Sequence, residues 1–165
     1  MMKNKVLIIV FSIFLVFTTS VFAADYSIDS YKIDAKVIEN GDLEITEYIK
    51  YDFDADMNGL YRDILYSYIF DSQEDSMDAT SSRYQASGIE DLEVFISDSS
   101  FNNMKKATKR SESSLSNGMD GYYSAEFSYE EESRLLVKVY SPVDSGDYKY
   151  VKYKYTVKDA VVNYQ

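Results

Sequence analysis

The chain has no cysteine, no histidine and a single proline, Pro142, in its 165 residues. Each absence excludes something. Without cysteine no disulfide can staple the fold and no lipid can be attached through a thiol, so burial alone must hold the core. Without histidine the commonest general base is gone, and with it the Ser–His and Cys–His nucleophile pairs and the usual zinc sites. No serine is followed three residues later by lysine, which removes the common Ser–Lys nucleophile, and no glycine-rich phosphate loop occurs. Together these gaps point away from an enzyme. Positive charge is also scarce: 17 Lys and Arg stand against 28 Asp and Glu, for a net charge of −11. A chain this acidic is repelled by nucleic acid and by anionic lipid headgroups, and its charge reads as a solvated acidic surface.

Long apolar runs are confined to one place. Lys3 and Lys5 precede the run Val6–Phe17, which is broken only by Ser12 and followed by Val21-Phe22-Ala23. This three-part layout is that of a secretory signal with cleavage after Ala23, which predicts an exported protein. An uncleaved anchor is the alternative, but the run lies at the short limit for a span and polar Asp25 follows at once. Cleavage would leave about 140 residues, the size of one domain, and would take the charge from −11 to −13 by removing Lys3 and Lys5. Residues 24–165 show no internal repeat and no interdomain linker.

Aromatic residues are abundant, with 17 Tyr and nine Phe. They suit pleated, half-buried strands, and no helical periodicity lasts more than a few turns. Tyr31, Ile33, Ala35 and Val37 alternate with Lys32, Asp34 and Lys36. Asn40-Gly41 follows, a strong hairpin signal because both residues tolerate positive φ. Leu43, Ile45, Ile49, Tyr51 and Phe53 then alternate with Glu44, Thr46, Tyr48 and Lys50, so each arm is expected to bury one face. Further strands are expected around Leu92–Ile96, Tyr123–Tyr129, Leu135–Val139 and Val151–Val157. The turn at Ser141–Gly146 separates the last two. The lysines alternating along the last strand suggest an edge strand. The segments 66–87 and 98–121 read as exposed loops. The fold class is all-β: an antiparallel β-sandwich of immunoglobulin or fibronectin type, with about six to eight strands.

Two clusters are candidate sites. Asp54-Ala55-Asp56-Met57-Asn58-Gly59 matches the opening of a calcium loop, with Asp52, Asp54, Asp56 and Asn58 as possible oxygen ligands. The pattern then fails, because Leu65 stands where a bidentate Glu is needed. An acidic strand-to-loop turn is the plainer reading. Arg62 and Asp63 form a second candidate, either a ligand-binding pair or a structural ion pair that fixes the chain as it leaves the hairpin.

The string Asn58-Gly59-Leu60-Tyr61-Arg62-Asp63-Ile64, preceded by Asn40-Gly41-Asp42-Leu43-Glu44-Ile45-Thr46-Glu47, resembles the N-terminal region of a bacterial family of predicted membrane proteins (domain of unknown function 2207). Val139-Tyr140-Ser141-Pro142 and Tyr153–Val161 look like its second block. The resemblance covers approximately residues 26–165. It implies an extracytoplasmic β domain of the cell envelope that is followed by transmembrane helices, so the chain would end before its membrane segment. The partner would then be an unknown protein or envelope ligand. A freely secreted adhesin or carbohydrate-binding sandwich is the alternative. A hydrolase using two carboxylates is a third reading, open only if a cleft brings such a pair together.

Overall fold

The computed structural model describes residues 25–69, 83–116, 118–129 and 132–161. The expected signal at residues 1–23 and most of the expected loop at 66–87 lie outside these. Among the described residues, nine strands form two antiparallel sheets, a β-sandwich. The strands are β1 (Tyr26–Val37), β2 (Leu43–Phe53), β3 (Met57–Ile69), β4 (Arg83–Gln85), β5 (Gly88–Ser97), β6 (Lys105–Lys106), β7 (Gly121–Ser128), β8 (Glu132–Val143) and β9 (Tyr148–Lys158). One helical turn, α1 (Glu112–Ser116), precedes β7. The five-stranded sheet runs β1-β2-β9-β5-β6, and the four-stranded sheet runs β4-β3-β8-β7. The short strands β4 and β6 carry no alternation from which sequence could announce them.

The hairpin forms as its pattern predicts, with Val37 opposite Leu43 and Tyr31 opposite Ile49. Gly41 takes φ +88° at the turn, where a Cβ would also press on the Val161 carbonyl. Asp42 follows it and is buried. Its carboxylate accepts bonds from Asn40, from the Lys158 ammonium and from the backbone N–H of Asp159, and these bonds hold the carboxyl below its ordinary range. The hairpin tip is thus stapled to the far end of β9, and Val161 N–H adds a bond to the Gly41 carbonyl.

Between the sheets the core is made of alternating rows. Val94, Val137, Val151 and Tyr153 are fully buried, flanked by Ile49, Phe53, Leu60 and Val157. Gly59 sits at a register shift in β3, with its Cα so close to β8 that a Cβ would lie 2.0 Å from the Val139 carbonyl oxygen. That approach explains glycine there without any unusual φ.

Five expectations change. Tyr66–Ile69, read as the start of an exposed loop, continue β3, and Tyr66 is buried. β9 is not an edge strand: it lies between β2 and β5, and its outward lysines pair across the sheet. Lys152 sits 3.9 Å from the centre of the Phe95 ring, and Lys158 bonds Asp42. Lysine alternation therefore marks a wet outer face here, not an edge. In β7 the richer aromatic row, Tyr123, Ala125, Phe127 and Tyr129, does not face the core. Tyr122 does, opposite Val139, with its hydroxyl donating to the Leu92 carbonyl at 2.9 Å. The 98–121 connection is not wholly irregular, since α1 buries Leu115. Finally, beyond Tyr26, which packs on Tyr51 and Phe53, β1 buries neither face: its apolar row is exposed from Ile28 to Val37.

The buried tyrosines make stability sensitive to alkali. Burial pushes Tyr51 up to about 12 and raises Tyr153 and Tyr155 further, Tyr155 with help from Glu47. A folded-state pKa above the unfolded value of about 10 stabilises the fold fully below pH 10 and progressively less as pH climbs through 12. Tyrosinate absorbance should therefore rise in two phases, the second coinciding with loss of the β-sheet circular dichroism signal. Complete ionisation with the sheet intact would contradict this assignment.

Candidate functional site

Arg62 and Asp63, the pair singled out from sequence, lie together on β3 but face opposite ways. Asp63 is on the outer face, where its carboxylate takes a bond of 2.8 Å from Arg134, itself locked to Glu132. Arg62 points inward and meets a partner that strand alternation alone does not explain. Glu47 of β2 occupies an inward position between Ile45 and Ile49, opposite Ile33 and Tyr153, and is 1% exposed. Its two oxygens accept from Arg62 Nε at 2.8 Å and Nη2 at 3.0 Å, and from the Tyr155 hydroxyl at 2.6 Å. This is a forked, charge-assisted arrangement in a water-poor site. Burial opposes the Arg62 charge, yet Glu47 more than compensates and holds the guanidinium above its ordinary range.

The remaining Arg62 donors reach outward. Nη2 bonds the Tyr31 hydroxyl of β1 at 3.2 Å, and Nη1 bonds the Asp63 carbonyl at 2.7 Å. Burial, seconded by Glu47, raises the Tyr31 pKa. Arg62 thus ties β1, β2 and β3 together at one side of the sandwich. Glu47 is the residue the sequence reading missed. Its signal was a carboxylate on the inward parity of an otherwise apolar strand.

Above this ion pair the sandwich is open. β4 pairs with β3 only over Ser67–Ile69, so Met57–Tyr66 has no strand neighbour on that side among the described residues. β1 overhangs that edge. Apart from Tyr31, which meets Arg62, its core-facing row from Ile28 to Val37 therefore has no opposite strand among the described residues: Ile28 is 56% exposed, Ile33 51% and Val37 57%. Ile28, Tyr31, Tyr51, Tyr61 and Arg62 line a groove of about 210 Å³ beneath the overhang.

The calcium candidates are dispersed. Asp52 lies on the outward row of β2, and Asn58 lies in β3. Asp56 accepts the Ser145 backbone N–H at 2.8 Å, while the Asp54 carbonyl accepts the Ser145 hydroxyl at 2.9 Å. These bonds tie the β2–β3 crossing to the β8–β9 turn. Among the described residues, no three acidic side chains converge as a metal group would require. A larger depression of about 450 Å³ lies between the ends of β5, β6 and β7. Three of its charged groups bond within the protein: Arg110 with the Asp120 carbonyl, Lys106 with Glu93, and Asp98 with buried Lys149.

The fold and this side of it define a mostly β, two-sheet domain with, among the described residues, one long uncovered edge and an ion pair beneath it. A family model for the N-terminal domain of predicted membrane proteins (DUF2207) matches residues 27–165, and the chain belongs to that family. No curated protein and no solved structure matches it. Among the described residues no helix is long and apolar enough to cross a membrane.

Removing one member of the buried pair leaves the other charge unmatched. Glu47→Ala should cost about 3–5 kcal/mol in urea unfolding. The triple variant Glu47→Leu, Arg62→Met, Tyr155→Phe removes all three members of the network together, leaves none of them without its partner, and should recover most of that loss. A single variant as stable as wild type would show that the pair does not hold the edge.

Proposed function

We propose that this domain is the extracytoplasmic, non-enzymatic part of a membrane protein and that it works by protein binding along β1. Family membership supports the membrane setting, and the pattern of residues 1–24 supports export. The observation that carries the binding role is the apolar row of β1, exposed although it lies on the core side of its sheet. Such a row normally pairs with something, because an exposed apolar edge strand invites addition of another strand. A non-enzymatic role fits the chemistry beneath the groove, where the Glu47 carboxylate is engaged by Arg62 and Tyr155. Among the described residues, the carboxylate that lines the groove, Asp63, is itself bonded by Arg134, so no free pair stands there as a glycosidase mechanism would need.

Two measurements test this. If the β1 row serves binding and not packing, Ile33→Lys and Val37→Lys should each move the unfolding free energy by no more than about 0.5 kcal/mol. Losses of several kcal/mol would make the row structural and end the binding reading. An alkaline-phosphatase reporter, active only outside the cytoplasm, should be active when fused after Gln165. An inactive but stable fusion would overturn the extracytoplasmic placement.

A further inference from the structure

We infer that the partner of β1 is β1 of a second copy of this chain, joined in an antiparallel, two-fold symmetric pairing centred on Ile33. The inference rests on the reading of β1 as a binding edge and names its occupant. From Ser30 to Val37 the strand is regular, the one register shift lying between Ile28 and Ser30. Its outer row is Ser30, Lys32, Asp34, Lys36, and its core-side row is Tyr31, Ile33, Ala35, Val37. A two-fold axis perpendicular to the sheet keeps each row on its own face, so only a few registers are open.

The charges choose among them. With Ile33 facing the partner's Ile33, Lys32 faces the partner's Asp34 and Asp34 faces the partner's Lys32. Both side chains are more than half exposed in the single chain, and they already bond each other at 2.8 Å. The pairing would close four alternating charges into a ring. On the core side Tyr31 would lie beside the partner's Ala35, a large residue against a small one. Slipping the axis to Asp34 sets Asp34 against Asp34 and Lys32 against Lys36. Slipping it to Lys32 sets Lys32 against Lys32. Like charges directly opposite are destabilising. A further slip, to Ala35, restores opposite charges but keeps only Ile33–Val37 in the pairing.

In the favoured register the free backbone edge of each β1 is satisfied by the other, and the two five-stranded sheets become one continuous sheet of ten. The contact is smaller than a standard interface of about 1,600 Å², so the isolated chain should associate weakly. Confinement of copies to one membrane surface would raise their effective concentration and favour the pair.

The chain has no native cysteine, so one introduced thiol reports cleanly. Facing Cα atoms in an antiparallel pair are about 4.5–5.5 Å apart, within disulfide reach. Under mild oxidant, Ile33→Cys should cross-link into a dimer much faster than Phe127→Cys, exposed on the other sheet. In sedimentation of the purified chain, Lys32→Asp and Asp34→Lys should each weaken self-association about tenfold or more. Mixing the two single variants should restore it, as should combining both changes in one chain, because either arrangement again faces unlike charges. A monomeric wild type whose Ile33→Cys form cross-links no faster than the control would overturn the inference. So would a dimer indifferent to both charge reversals. If Ile33→Lys is neutral for stability while either of those results holds, the binding edge stands and its partner is another protein.

Discussion

The forked bond between Glu47 and Arg62 is the constraint on which this side of the domain depends. A carboxylate in the middle of an inward strand row is tolerable only if its charge is matched and its oxygens are occupied. Arg62 does both, and Tyr155 completes the set. The geometry demands that β3 cross over β2 in one register, because a shift by one residue would turn Arg62 outward and strand Glu47 in the core. The pair is thus a registration device between the sheets at least as much as a source of stability. It also reaches the surface, through Tyr31, at the place where the sandwich is left open.

The rest of the framework serves the same alignment from other directions. Asp42 fastens the hairpin tip to the end of β9, and Ser145 fastens the β2–β3 crossing to the β8–β9 turn. Gly59 lets β3 approach β8 without a clash. These contacts hold the five-stranded sheet against a narrower neighbour, and the mismatch in width leaves β1 without a covering strand among the described residues. The uncovered row is therefore a consequence of topology, not of a weak hydrophobic pattern. That is why it reads as a surface for a partner.

Much of this could be read from the residues. The hairpin, the sandwich class and most strands follow from period-two alternation and from Asn40-Gly41. The two short motifs with Gly41 and Gly59 place the chain in its family. Other features were hidden for identifiable reasons. Alternation reports which residues share a face but not which face is covered, so β1 looked half-buried and β7 carried its larger apolar row outward. The lysines of β9 suggested an edge, although a central strand can show the same row when its outer face is wet. Asp52, Asp54, Asp56 and Asn58 are close in sequence, but a strand end, a crossing and a new strand carry them apart. Glu47 was visible only as an exception to a pattern whose meaning depends on what stands opposite.

By itself, the sequence determined the class of the fold, the hairpin, the net negative charge, the lack of histidine and cysteine side chains, and the family signature. Each of these depends on local geometry or on composition, which a linear string contains. Only the tertiary structure decided that Arg62 meets Glu47, that Asp63 turns away to Arg134, and that β1 overhangs its neighbour sheet. Those depend on strand order and on the relative width of two layers, quantities set by contacts between residues far apart in the chain.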